Sequence, residues 1–537
     1  QASRAGKKKW VPPAAAAAVV AVGVGAYTMM SAKDPKDVVV DAFKSITAEG
    51  QTDPAEEIFG LSAMMEKINT SPSEIRLELA LEDTSIADLS ALATGSFNME
   101  VWNDPGNQQM RMDMGIGYGG MDLATLAFYL DDVQMAAAIP ELSTKVFTLN
   151  YTEDLEGQLE KSPYLGAILK ESGTDLNGFA EYMAQCSEMA SSGEQLFDIE
   201  ALWDRYKEGS QAIDDLKEAM TVEKAQARDY TIDGETVSCK GYEVQLTKDA
   251  LIQFVNTSKD FFLTDETLKS DFIEYMSLAM KLENSMTEMT GVDVLQTPEE
   301  LQAETWEEVE TALNDLIAQL DSTMGDLALT VWVQKDGRMA GFEYETTAAV
   351  DGESVRLFGE AYFQGGYSML ANCGVSLNIE DSSGQVVTLG LDKTGEYEPE
   401  SVWTNGLVGT LASGDEVYSF DYSDSYQIAD GTYELTLDFL SSDVSQLLIT
   451  SSGAFSDVVK GESMALTMDS IRVESEPLFG AGNYLDLSCI YAVGPLEGTV
   501  EMPEGEPLDI LAASEADYDA VLTEITGNLF GLMMNLY

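Results

Sequence analysis

"FNMEVWNDPGNQQMRMDM" occupies residues 97–114. Apolar side chains recur in it at every second position: Phe97, Met99 and Val101 in one run, then Met110, Met112 and Met114 opposite Arg111 and Asp113. A period of two sends successive side chains to opposite faces of a strand, so each run predicts a strand with one dry and one wet face. Between them, "NDPGNQQ" supplies the Pro, Gly and Asn of a turn. The stretch therefore reads as an antiparallel hairpin, and the fold is built outward from it.

The alternation continues on both sides. Upstream, Ile75, Leu77, Leu79 and Leu81 alternate with Arg76, Glu78 and Glu82; downstream, the pattern reaches Phe147 and Leu149, giving an antiparallel meander over 73–151. Residues 153–222 and 248–321 change to helical spacing, with a short strand at "VSCKGYEVQLT" (237–247) between them. Thr297-Pro298-Glu299-Glu300 forms a capping box that starts the last of these helices. From 326 to 495 strand follows strand, with Asp336-Gly337 as a hairpin turn and Tyr433, Leu435, Leu437 and Phe439 alternating with Thr432, Glu434, Thr436 and Asp438. A closing helix from about Ser514 gathers Tyr518, Val521, Leu522, Ile525, Leu529, Leu532 and Met533 into one stripe, which calls for a docking surface. No period of 20–50 residues repeats, so solenoids and propellers are disfavoured. The expectation is an α+β fold: curved antiparallel sheets covered by helices, a long C-terminal β-meander and a closing helix.

The N-terminus sets the compartment. From Trp10 to Met30 there is no charge, and 21 helical residues rising ~1.5 Å each cover about 30 Å, the thickness of a bilayer's hydrocarbon core. Arg4, Lys7, Lys8 and Lys9 precede the run and Lys33, Asp34, Lys36 and Asp37 follow it, which places the N-terminus in the cytoplasm. The expected division is a basic flank over 1–9, a transmembrane anchor over 10–30, an α+β extracytoplasmic domain over 31–325, and a β-rich extracytoplasmic region with its closing helix over 326–537. A cleaved signal peptide and a soluble core helix are the competing readings, the former disfavoured because "YTMMSAK" offers only Met30 and Ala32 at the cleavage positions.

Composition removes several functions. The chain has 29 Lys and Arg, 94 Asp and Glu and no His; residues 1–32 hold four of the bases and none of the acids, leaving 25 bases against 94 acids beyond them. Such a field repels nucleic acid, so no nucleic-acid partner is expected. Without His, no Ser-His-Asp or Cys-His machinery and no His-ligated metal is expected. "DYSDSYQIADGTYE" (421–434) lacks the ligand spacing of a calcium loop and reads as a hairpin turn. "GIGYGG" (115–120) lacks the Lys of a phosphate loop and reads as a strand bend. No cofactor is implied. Cys186, Cys239, Cys373 and Cys489 are too dispersed for a zinc site. Outside the cytoplasm they could pair as Cys186–Cys239 and Cys373–Cys489, each bridge keeping within one region; buried free thiols are the alternative.

The order of anchor, "DPKDVVVDAFKSI" helix, meander, "FYLDDVQMAAAIPELSTKVFTLNY" (128–151) and "GYEVQLTKDALIQFV" (241–255) resembles predicted membrane-anchored exported proteins of clostridia-type Gram-positive bacteria. Their exported part is similar to the LolA/LppX half-barrel lipoproteins, in which a curved antiparallel sheet wraps helices and leaves a greasy cavity. The resemblance covers residues 33–262 and implies a hydrophobic-ligand carrier, although this chain has no lipid-attachment Cys and carries a long extra β-rich region. It implies that Phe97, Met99, Met110, Met112, Met114, Phe147 and Leu149 form one ligand wall, and methionine's pliability suits such a surface. A filled core under a helix is the other reading of the same row. The functional expectation is a non-enzymatic, membrane-anchored protein that binds a lipid or hydrophobic peptide; the alternative is a structural or interaction protein of the cell envelope, with an envelope protein as partner.

Overall fold

The computed structural model describes residues 34–47, 51–87, 89–90, 93–151, 157–158, 161–164, 199–273, 298–350, 353–442 and 444–535. Residues 10–30, expected as the anchor, lie outside them, and among the described residues no helix is long and apolar enough to cross a membrane.

The alternating segments pair into one open, curved antiparallel sheet of twenty strands. The first meander runs through β1 (Ser73–Thr84), β2 (Gly95–Asp104), β3 (Gln109–Tyr118), β4 (Met121–Leu130), β5 (Gln134–Ala138) and β6 (Lys145–Asn150). The second runs through β7 (Thr221–Ile232), β8 (Glu235–Leu246), β9 (Leu327–Val333), β10 (Met339–Val350), β11 (Glu353–Phe363), β12 (Cys373–Glu380) and β13 (Val386–Glu398). It continues through β14 (Val402–Ser413), β15 (Glu416–Gln427), β16 (Thr432–Ser441), β17 (Val444–Val459), β18 (Ser463–Glu474) and β19 (Tyr484–Pro495). The two meanders join where β1 pairs with β19, Leu77 opposite Tyr491, and β20 (Glu506–Asp509) adds to β6 in parallel. β8 and β9 pair across the intervening helices, so the regions expected over 31–325 and 326–537 share a single sheet. The outermost strands, β7 and β20, do not meet. At ~4.8 Å per strand the twenty strands trace about 90 Å.

Register keeps one apolar face continuous. Val244 of β8 faces Leu329, Leu329 faces Tyr344 of β10, and further along Leu377 faces Leu389 and Leu389 faces Leu411. Beyond the junction Leu77 faces Met99 and Met99 faces Met114. The helices lie against this face. α1 (Pro35–Lys44) starts at Asp34, whose carboxylate accepts the Lys36 N–H, with Pro35 at the first helical position. α2 (Pro54–Phe59) and α3 (Leu61–Thr70) follow, then α4 (Ile199–Gly209), α5 (Ala212–Ala219), α6 (Lys248–Thr264) and α7 (Pro298–Thr323). Val39, Val40 and Ala42 of α1, Leu251 of α6 and Leu320 of α7 share a core with Val244, Leu327, Val331, Met339 and Phe342. That core seals the β7–β11 end of the sheet.

Residues 45–47 and 51–70 form a strap along one rim. The Met339 N–H donates to Ser45 Oγ at 3.0 Å, the Tyr397 hydroxyl to Glu57 at 3.0 Å, and Phe59 packs its ring 4.9 Å from that of Phe455. Lys67 pairs with Glu462 at 2.8 Å, and Asn103 donates to the Ile68 carbonyl. Gly60 joins α2 to α3 at φ 64°, where a Cβ would lie 2.7 Å from the Gly461 nitrogen, so the strap and the β17–β18 turn can touch only at a glycine.

Candidate functional site

Three rows of side chains cross β13–β16 on the apolar face. Nearest the free rim stand Leu389, Leu411 and Tyr418; next Leu391, Gly409, Phe420 and Phe439; then Lys393, Leu407, Tyr422 and Leu437. The first two rows line a cavity of about 560 Å³ opening at the rim away from the strap. Gly409 shapes it: a Cβ there would fall 2.1 Å from the Phe420 ring, which lies across the glycine. Leu391 keeps 38% of its surface exposed and Tyr418 48%, whereas Val331, on the same face under the helices, keeps none.

Toward the strap the face turns polar. Tyr367 donates to Asn405 at 2.9 Å, and Asn405 donates to the Asp424 carboxylate at 3.1 Å. Burial, then the hydrogen bond to Asp424, pushes the Tyr422 phenol well above its ordinary value. Beyond that row Tyr397, Trp403, Tyr426 and Tyr433 form an aromatic band beneath Phe59 of the strap, with the Phe59 and Tyr426 rings 5.7 Å apart. The cavity is thus bounded by a hydrogen-bonded floor on one side and water on the other.

The seven residues expected to form a ligand wall do share one face. Met99 faces Met114 and Phe97 faces Ile116; Met112 stands opposite Val101 and Met110 opposite Asn103; across β5, Leu149 faces Met135 and Phe147 faces Ala137. Leu149 is buried and the other six are half-buried. The cavity of about 560 Å³ has none of them in its lining. It lies on β13–β17, strands whose alternation resembles that of β2–β3. The opposite face of β4–β6, expected to be wet, is dry: Val500 packs on Tyr129, Ala136, Ala138 and Val146, with Trp102, Leu496 and Met502 around them. Burial and a hydrogen bond from its hydroxyl to Asp131 push the Tyr129 phenol up to about 12. The segment 496–502 alternates with nothing, and this cover left no mark in the sequence beyond three apolar residues.

Cys239, Cys373 and Cys489 are free thiols, so the Cys373–Cys489 pairing is not formed; Cys373 sits on β12 and Cys489 on β19. Cys186 lies outside the described residues, and with it the Cys186–Cys239 pairing. Burial raises the Cys373 thiol while the Lys393 charge acts to lower it. Among the described residues no three Cys, Asp or Glu side chains converge as metal ligands. The stretch 421–434 forms the end of β15, a turn and the start of β16, with Asp430 accepting from the Thr432 N–H and hydroxyl. In "GIGYGG", β3 ends at Tyr118 and Gly119 and Gly120 turn the hairpin at φ 60° and 76°.

No protein-family model matches the chain, and no curated protein matches it.

Proposed function

We propose that the chain is a membrane-anchored, extracytoplasmic, non-enzymatic protein that holds the hydrocarbon part of a lipid or hydrophobic peptide against the apolar face of its sheet. One observation carries this reading: the dry face runs out from under the helices and opens as a cavity of about 560 Å³. Small-molecule pockets typically measure ~300–1,000 Å³ and are mainly apolar with a few polar groups, which is the composition found here. An open, curved antiparallel sheet with helices on its apolar side supports the likeness to the LolA/LppX half-barrel. The uncharged run over 10–30 with its basic N-terminal flank supports the anchor.

Native mass spectrometry and lipid extraction of gently purified full chain test the reading. A bound acyl species is expected, lost in Leu411→Glu; repeated absence of ligand, with no uptake of a fluorescent acyl probe, would overturn it. Protease treatment of intact cells should remove the bulk of the chain, and full protection would overturn the placement.

A structural or interaction role in the envelope is the second reading, favoured by the closing helix α8 (Glu515–Asn535). Its Val521 is buried, but Leu522, Leu529 and Phe530 on the neighbouring face are exposed. Self-association in sedimentation, abolished by Phe530→Ser, would favour that role over ligand carriage.

A further inference from the structure

Across β10–β19 and β1–β4, register puts a single basic side chain on the apolar face, Lys393. The other bases of β11–β18 stand on the wet face beside carboxylates: Arg356 with Glu345 and Glu380, and Arg472 with Glu474. Lys393 is half-buried between Cys373 and Leu407, and among the described residues it makes no hydrogen bond or ion pair. In a chain with 94 acids and 29 bases, carboxylates are abundant, yet among the described residues none pairs with this ammonium. An anion seated on this face would gain a charge-assisted contact from Lys393 that no carboxylate of the described residues already takes.

Position says which anion. Leu391, two residues along the same strand and about 6.7 Å away at ~3.35 Å per residue, is part of the cavity wall. Lys393 is not itself part of the cavity's lining; it stands one row inward, a distance that a lysine's flexible four-carbon stem can span. The next charged group on the face toward the strap is the acid Asp424, held by Asn405. A lone point charge with an acid beyond it suits a monoanion; a phosphate is ordinarily met by a guanidinium fork or several donors.

We propose that Lys393 receives the carboxylate of a single-chain fatty acid whose hydrocarbon lies in the cavity along Leu391, Phe420 and Phe439, a proposal that rests on the groove reading above. The rest of the molecule's negative field opposes an anionic ligand, so this one ammonium decides whether a free acid is held better than an uncharged chain of equal length.

Titration calorimetry of the full chain with palmitate and with hexadecanol separates the claims. Palmitate is expected to bind at least tenfold more tightly; Lys393→Met should bring it to the level of hexadecanol without changing hexadecanol, and Lys393→Arg should keep the preference. Far-ultraviolet circular dichroism and the retained hexadecanol affinity establish that the Met variant is folded. Equal binding of the two probes by the native chain, or an unchanged preference in Lys393→Met, would overturn the carboxylate assignment and leave the groove standing. Binding of neither probe by the native chain would overturn both.

Discussion

The two halves of the long meander use one strand pattern to opposite ends. At β8, Tyr242, Val244 and Leu246 alternate with polar neighbours, as do Tyr433, Leu435, Leu437 and Phe439 at β16. The first set lies under α1, α5, α6 and α7 and is buried; Phe439 of the second remains 40% exposed. Alternation therefore states which face of a strand avoids water, and says nothing about what covers that face. Cover comes from helices placed hundreds of residues away in some cases, and among the described residues that of α1, α5, α6 and α7 ends near β11, with the strap over the aromatic band beyond.

The contrast is most sharply broken by putting the same charge into both halves. Val331→Asp at the sealed end buries an unpaired carboxylate where the side chain has 0% exposure, and should cost about 3–5 kcal/mol in urea unfolding. Leu411→Asp, 37% exposed at the free rim, lets the carboxylate reach water and should cost under about 1 kcal/mol. Equal losses would mean that the groove is covered in solution.

A second effect, smaller, belongs to the sealed end alone. Arg205 donates to both oxygens of Asp265, at 3.0 and 3.1 Å, and this hydrogen bonding holds the Asp265 carboxyl below its ordinary value. A folded pKa below the unfolded one, ~3.9, means the pair's stabilisation is full above that pH and disappears as pH falls through the folded value. Asp265→Asn should therefore flatten the acid limb of the stability profile. At pH 7 it should cost about 1–2 kcal/mol, a modest figure because Arg205 is partly exposed to solvent.

The smallest expected effect is chemical. Cys373 is half-buried at the edge of the sealed core, between Phe363 and Lys393, whereas Cys239 is 1% exposed. Alkylation followed by peptide mapping should modify Cys373 first under native conditions, slowly because burial raises its thiol, and a bound fatty acid should slow it further. Equal reactivity of Cys239 would erase the distinction between the regions.

Much of the architecture was legible in the sequence. The strands of 73–151 and 326–495, the turns at Asp336-Gly337 and 103–109, and the α+β class follow from local alternation and turn chemistry, which act over a few residues. β7 falls almost wholly in the gap between the helical reading that ends at 222 and the strand read at 237–247, because its register shifts between Ala225 and Arg228 and breaks the period. The union of both meanders at β1 and β19 was not readable, since pairing at that separation leaves no local signal. The Met row shares one face of the sheet, as its alternation implies, but it is the equivalent rows at β13–β16 that hold the cavity, and Lys393 gives no local signal because only register assigns it to the dry side.

The β1–β19 pairing also imposes an order in time. Thr84 and Tyr484, which bond across this junction, are 400 residues apart. At a synthesis rate of roughly 5–20 residues per second, β19 emerges about 20–80 s after β1. Throughout that interval one long side of β1 has its backbone groups unpaired, a template for any passing strand. A newborn chain of this kind needs either a holding partner or a charged guard on that edge, and Arg76, Glu78 and Glu82 are the guards that β1 carries.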